Sequence, residues 1–257
     1  MSLLEEIVSS TRKRVEQTKT QRDPVALRDK AAARTATRGF VDALTGEEVA
    51  IIAEIKRRSP SKGPFNLGLD AADTARAFAD GGAAAVSVLT EPHFFQGSMN
   101  DLESAAVADV PLLLKDFVLD PVQVLEARAS GADAFLLIVR VVGGALNSLI
   151  TEVRSLGMDA LVEVYDERDV DIALDAGAMC IGINNRDLET FEVDPERTRK
   201  LASGLPREVV VVALSGISTR AEVEDLVSVG ASAVLIGESL VTAPDPAAKL
   251  RELRGVS

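Results

Sequence analysis

Glu54 and Lys56 have the clearest capacity for proton chemistry in this chain. They stand two apart in Ile51-Ile52-Ala53-Glu54-Ile55-Lys56, an otherwise apolar run, so on a strand both point to one face. A strand that is merely buried does not carry two charges on one face, because an uncompensated buried charge is costly. The run continues into Arg57-Arg58-Ser59-Pro60-Ser61-Lys62-Gly63, where proline and glycine break the strand and hydroxyls, amides and a cation gather beside it. That combination reads as the edge of a site that meets an anion. Lys115, just after the apolar run 110–114, and Glu163, inside the run 160–164, repeat the pattern of a charge at a strand end. Two lysines and two carboxylates brought together can exchange protons, since proximity and desolvation tune each group. A structural ion-pair network explains any one pair as well; four charges at three strand ends favour catalysis. A lysine of this kind could also form a Schiff base.

The elements that must bring these residues together recur along the chain. Apolar runs fall at 50–55, 83–89, 110–114, 134–139, 160–164, 179–183, 209–214 and 233–236. Amphipathic stretches separate them, at about 70–80, 100–107, 120–130, 144–156, 166–176, 194–203, 218–229 and 245–254. Four junctions end a helix at Gly-Ala before a strand: Gly82-Ala83, Gly131-Ala132, Gly177-Ala178 and Gly230-Ala231. Asp120-Pro121, Asp194-Pro195, Ser218 and Asp245-Pro246 supply helix starts. Eight alternating units with strands of the buried type predict an α/β fold, a (β/α)8 TIM barrel. An open doubly wound sheet is the alternative, but the units are alike and no Gly-x-Gly-x-x-Gly follows the first strand. Residues 1–49 read as a helical extension packed on this single domain: Leu3, Leu4, Ile7 and Val8 have helical spacing, and Asp23-Pro24 opens a second helix to about Ala33. A loosely ordered tail is the alternative there.

A barrel of this kind places functional groups at the C-terminal ends of its strands. Those ends here carry Glu54 and Lys56, Ser87 and Thr90, Lys115 and Asp116, Arg140, Glu163, Asn184 and Arg186, Ser215 and Gly216, and Gly237 and Glu238. The last two strand ends resemble a phosphate site. Glycines there let backbone N–H groups approach an anion at the start of a helix, although Glu238 would repel a phosphate unless its side chain turned away. A pair of ordinary tight turns would look the same.

Length and composition narrow the function classes. A chain of 257 residues, 47% hydrophobic, is long enough for one large core. A net charge of −12 argues against nucleic acid and anionic membranes as partners, so basic site residues in an acidic chain point to a small anionic ligand. No apolar run reaches membrane-spanning length. The start Met1-Ser2-Leu3-Leu4-Glu5-Glu6 lacks a signal-peptide pattern. The single cysteine, Cys180, excludes an internal disulfide, and a cytoplasmic location is expected. His93 is the only histidine and reads as a loop residue, without a partner for a metal pair. Phe94, Phe95 and Phe117 follow strands two and three and could line a pocket for a flat ring. Cys180 reads as a small core residue.

The run Ile52-Ala53-Glu54-Ile55-Lys56-Arg57-Arg58-Ser59-Pro60-Ser61 resembles the signature of the indole-3-glycerol phosphate synthases. The resemblance continues through Ser87–Glu91, Leu114–Phe117, Leu161–Val164, Ile181–Leu188, Ser215–Ile217 and Leu235–Gly237. It implies a (β/α)8 barrel with an N-terminal helical extension. It also implies decarboxylating, dehydrating ring closure of 1-(2-carboxyphenylamino)-1-deoxyribulose 5-phosphate in tryptophan biosynthesis, with no metal or organic cofactor. By position it implies Lys115 as the general acid on the substrate carbonyl, and Lys56 as the cation on the substrate carboxylate and an acid in dehydration. Glu54 and Glu163 become the carboxylates that move protons and poise the lysines, and Asn184 orients the substrate. Ser59, Arg186, Ser215, Gly216, Gly237 and the Glu238 amide fall near the phosphate; Pro60, Phe95, Phe117 and Leu136 wall the aromatic pocket. A monomer or weak homodimer is expected.

One position departs from that pattern. The family reads Ala-Glu-Ser-Gly-Ile after strand seven, whereas this chain reads Ala213-Leu214-Ser215-Gly216-Ile217. Leu214 joins the expected pocket wall but cannot accept a proton or pair with a lysine. A barrel that binds the phosphorylated ligand with impaired turnover, or an engineered binder, is therefore one alternative; a lysine-dependent aldolase is another.

Overall fold

Each barrel strand is apolar on both faces because each face is buried in a different core. A computed structural model describes residues 2–46, 48–187 and 190–256; Met1 and Leu188, named above, lie outside them. The strands are β1 (Ala50–Ile55), β2 (Ala85–Leu89), β3 (Leu112–Lys115), β4 (Ala134–Ile138), β5 (Asp159–Val164), β6 (Cys180–Asn184), β7 (Val210–Leu214) and β8 (Ala233–Ile236). Each pairs in parallel with the next, and β8 pairs with β1 to close the barrel. Outward residues such as Ile51, Val88, Leu137 and Ile183 pack beneath the helices. Inward residues such as Ile52, Leu113, Leu161, Cys180 and Val212 fill the interior. Cys180 is a core residue as expected, and burial pushes its thiol up.

The helices are α1 (Leu3–Gln21), α2 (Pro24–Ala32), α3 (Phe40–Ala43), α4 (Ala71–Asp80), α5 (Met99–Ala105), α6 (Pro121–Ala129), α7 (Val139–Val142), α8 (Leu146–Ser155), α9 (Glu167–Asp175), α10 (Glu196–Ala202), α11 (Arg220–Ser228), α12 (Glu238–Val241) and α13 (Pro246–Arg254). Asp120 and Asp245 cap α6 and α13 as expected. The cap of α11 is Thr219 rather than Ser218, and Ser218 instead bonds Glu222. The four Gly-Ala junctions all hold glycine at positive φ, between 80° and 105°, where a side chain would be strained. Among the described residues no helix is long and apolar enough to cross a membrane.

The N-terminal extension is helical and tied to the barrel at three levels. Arg14 of α1 makes a two-pronged bond with Asp116 at the end of β3, at 2.8 and 2.6 Å. Leu27 and Ala31 of α2 pack on Val122, Leu125 and Ala129 of α6. Phe40 of α3 is fully buried, and Asp159 at the start of β5 accepts the Val41 N–H at 2.9 Å. The extension thus runs from the mouth of the barrel, down the outside of α6, to its floor.

Candidate active site

The closed register decides which side chains share a level in the interior. Strands of a barrel are tilted, so a level climbs one residue at each step to the next strand. From Glu54 that path runs through Val88, Lys115, Leu137, Glu163, Ile183, Leu214 and Ile236 and returns to Glu54. Alternate members point inward, so Glu54, Lys115, Glu163 and Leu214 form one layer of the interior. Three of its four corners are ionisable, and the fourth is Leu214.

Glu54 is the hub of the charged side. It is 2% exposed; Lys56 Nζ lies 2.7 Å from Oε1 and Lys115 Nζ lies 3.7 Å from Oε2. Burial works to raise the Glu54 carboxyl, but the two ammonium groups outweigh it and hold the group below its ordinary range. Lys56 also stands over the Phe65 ring, 5.6 Å from its centroid. Gly237 leaves room for this arrangement: a β-carbon there would lie 2.7 Å from Glu54 Oε1.

Glu163, 1% exposed, has a different environment. Its Oε1 accepts from Asn184 Nδ2 at 2.9 Å and from the Tyr165 hydroxyl, while Oε2 is buried with no hydrogen-bond partner. Asn184 Oδ1 accepts the Arg186 N–H at 3.0 Å.

The other end of the cavity is polar and built from loops. Ser59 Oγ accepts the Lys62 N–H at 3.2 Å within a small hairpin, Arg58–Ser59 against Gly63–Pro64. The Glu238 side chain turns to Lys62, 2.7 Å away, so its charge is neutralised by a residue 176 positions distant in sequence. Ser215 and Gly216 follow β7 at φ +68° and +79°, and a β-carbon on Gly216 would strike Val193 Cγ1 at 2.5 Å. The amides of Ser218 and Thr219 are already taken by Glu222. The start of α11 is thus capped from within rather than open to an anion.

These groups line one cavity of about 640 Å³, bordered by every residue that the family resemblance assigns to the site; Phe94, expected beside Phe95 and Phe117, and the strand-end residues Ser87, Thr90 and Arg140 are not in its lining. Phe95 and Phe117 form a wall, with ring centroids 6.2 Å apart, beside Pro60, Leu136 and Leu214. Phe65, Ile138 and Phe191 also line it and were not expected; all three are apolar residues in segments where any function looks like packing, whereas Lys62 lines it as the cation of the expected anion-meeting loop. Tyr165 was missed too, although its position two after Glu163 puts it on the same face. Other strand-end residues serve the frame. Asp116 borders the cavity, but its carboxylate goes to Arg14, Thr90 and the Phe117 N–H. Arg140 is carried outward by α7 to Asp166 and Asp169. His93 is an exposed loop residue. Among the described residues, no group of three or more histidine, cysteine, aspartate or glutamate side chains is placed to hold a metal.

Comparison with known proteins agrees with this geometry. Solved barrels share the fold at low identity: a thiamine phosphate pyrophosphorylase from Pyrococcus furiosus has a TM-score of 0.61 at 17% identity, covering 80% of this chain and 94% of its own. An N-acetylmannosamine-6-phosphate 2-epimerase from Clostridium perfringens has a TM-score of 0.62 at 16% identity, over 84% and 96%. The indole-3-glycerol phosphate synthase from Roseiflexus sp. (strain RS-1) is 45% identical, over 100% of this chain and 99% of its own. The enzyme of the same name from Dehalococcoides mccartyi (strain CBDB1) is 47% identical over 82% and 83%. A multifunctional tryptophan biosynthesis protein from Schizosaccharomyces pombe is 48% identical over 85% of this chain and 30% of its own. With the family model for indole-3-glycerol phosphate synthase matching residues 4–253, the chain belongs to the indole-3-glycerol phosphate synthase family.

Proposed function

We propose that this protein catalyses the ring closure of 1-(2-carboxyphenylamino)-1-deoxyribulose 5-phosphate to indole-3-glycerol phosphate, with loss of carbon dioxide and water. One observation carries the reading beyond family membership: Glu54, Lys115 and Glu163 share an interior layer at the barrel mouth, with Lys56 on the same carboxylate as Lys115. Lys115 donates a proton to the carbonyl oxygen as the ring carbon bearing the carboxylate attacks the carbonyl carbon. Loss of carbon dioxide from that ring carbon returns its bonding pair to the aromatic system. Dehydration then needs an acid for the departing hydroxyl and a base for the proton released as the new double bond forms. Lys56 is the acid and also meets the substrate carboxylate. Glu163, whose Oε2 is unpartnered, is the base, with Asn184 orienting both it and the substrate.

Glu54 is the less suited base: its Oε2 also lacks a hydrogen-bond partner, but both of its oxygens lie against ammonium groups, at 2.7 and 3.7 Å. Its role is to hold the two lysines in place on one carboxylate. The anilino ring lies against Phe95, Phe117, Pro60 and Leu136, and Leu214 extends this wall. The phosphate reaches Ser59, Arg186, Ser215, Gly216, Gly237 and the Glu238 amide. The partners of this acidic chain are small phosphorylated molecules, not nucleic acid or membrane. It works in the cytoplasm as a monomer or weak homodimer.

The test is the growth of indole fluorescence from the purified substrate. A growing signal supports the synthase. No signal, with binding of indole-3-glycerol phosphate retained, would leave a barrel that binds without turnover. Borohydride trapping of a carbonyl substrate on Lys56 or Lys115 would instead support the aldolase.

A further inference from the structure

The phenol of Tyr165 has no place in the chemistry above, yet it is built into it. Tyr165 follows β5, two residues past Glu163, and is 4% exposed. Its hydroxyl donates to Glu163 Oε1. Asn184 Nδ2 donates to the same oxygen at 2.9 Å and lies 3.1 Å from the Tyr165 hydroxyl. One oxygen of Glu163 is thereby saturated by two donors, and the other is left buried without a partner. The ring is itself pinned from behind. The Arg140 guanidinium stacks 4.7 Å from its centroid and is held by Asp169 at 2.9 Å and Asp166 at 2.7 Å. Asp169 also accepts the Tyr165 backbone N–H at 3.0 Å. Burial, and then the charge of Glu163, push the phenol well above its ordinary value, so its hydroxyl remains a donor across the working pH range.

We propose that Tyr165 is a positioning residue for Glu163: together with Asn184 it fixes Oε1, so that Oε2 is the oxygen that takes the proton during dehydration. Two donors on one oxygen set the carboxylate plane and leave the other oxygen without a protein partner, on a residue that lines the cavity. Arg140, at a strand end but outside the cavity, acts one step further back by holding the ring. This rests on the synthase reading, with Glu163 as the base.

A double-mutant cycle tests it, with kcat and KM measured for the parent, Tyr165→Phe, Glu163→Gln and the pair. Tyr165→Phe keeps the ring and removes only the donor. It lowers kcat by about 10- to 100-fold, the range for losing one hydrogen bond to a charged group, with KM within about threefold. In the Glu163→Gln background the same change alters kcat by less than about threefold, because no carboxylate remains to be positioned. Arg140→Gln, which loosens the ring from the solvent side, gives a smaller loss that also vanishes in that background; it serves if Tyr165→Phe fails to fold. Equal losses in both backgrounds would mean a merely structural role and overturn the inference, as would full kcat in Tyr165→Phe. No turnover by the parent chain would overturn the synthase reading and this inference together. Turnover by the parent with equal losses overturns this inference alone.

Discussion

Lys115 and Leu214 face each other across one interior layer of the barrel, a cation opposite a hydrocarbon. Leu214 is 1% exposed, and a β-carbon at Gly182 would lie 2.9 Å from its Cδ1. The leucine thus fills its corner by packing, and Glu54 is left as the one carboxylate in that layer that reaches both lysines. Leu214→Glu puts a second carboxylate opposite Lys115 and relieves this sharing. The expected outcome is a kcat higher by about tenfold, less than a fully placed acid–base group supplies, together with a lower Tm from burying another charge. Steady-state kinetics and thermal unfolding of the variant check both. An unchanged or lower rate would show a pocket shaped around leucine.

Lys115→Ala separates chemistry from binding. The ammonium belongs to the interior layer, where it pairs with Glu54, and not to the loops expected to hold the phosphate. Turnover should fall by about 10²- to 10⁴-fold, the usual contribution of a positioned acid. The Kd for indole-3-glycerol phosphate should stay within about threefold. Parallel loss of binding and turnover would assign Lys115 to ligand anchoring instead.

The frame was legible in the sequence because every strand is buried on both faces, which turns it into an apolar run with sharp ends. The runs 50–55 and 233–236 coincide with β1 and β8. Charges set into such runs, as at Glu54, Lys56 and Glu163, stand out because burial penalises them. Arg140 looked the same by that criterion and is not a cavity residue, since the single turn of α7 redirects it and no periodicity announces so short a helix. Tyr165 was illegible for the opposite reason. A tyrosine next to a strand is an ordinary core residue until its hydroxyl is seen on Glu163. That Leu214 shares a layer with Glu54, Lys115 and Glu163 needs the register of all eight strands, which local pattern does not contain.

Glu54→Gln should expose the pH signature of the hub. The Glu54 carboxyl is held below its ordinary 4.5: burial opposes this, and Lys56 and Lys115 outweigh it. In the window between the depressed folded value and 4.5, the unfolded chain binds more protons than the folded one, so stability rises with pH. The contribution is fully present above 4.5 and is lost as pH falls through the folded value. Glu54→Gln is therefore less stable than the parent at neutral pH, and the gap narrows as the solution is made acid. Unfolding free energies from pH 3 to pH 7, roughly the span of this linkage, decide it; a gap independent of pH would mean that packing, not charge, holds the site.

Gly237→Ala links the two ends of the cavity. The added methyl would meet Glu54 Oε1 at 2.7 Å and Glu54 Cβ at 3.1 Å, so the carboxylate must move from its lysines. Overpacking of this kind costs about 1–3 kcal/mol. Turnover should fall more than the affinity for indole-3-glycerol phosphate. A normal rate, with weakened binding alone, would place Gly237 purely at the phosphate end.

The Lys62–Glu238 pair makes an acidic residue tolerable where a phosphate is expected. Both side chains are half exposed or nearly so, at 50% and 39%, so the pair itself adds little stability. Its effect lies in charge: with Lys62 in place, Glu238 presents no net repulsion to a dianion. Lys62→Ala uncovers the carboxylate, and KM for the phosphorylated substrate should rise several-fold at low salt and less at high salt, where screening weakens the repulsion. Adding Glu238→Gln to that variant removes the uncovered charge and should return KM most of the way to the parent. Failure of the second change to restore KM would mean that Lys62 contacts the phosphate directly, and that its pairing with Glu238 is given up when the substrate arrives.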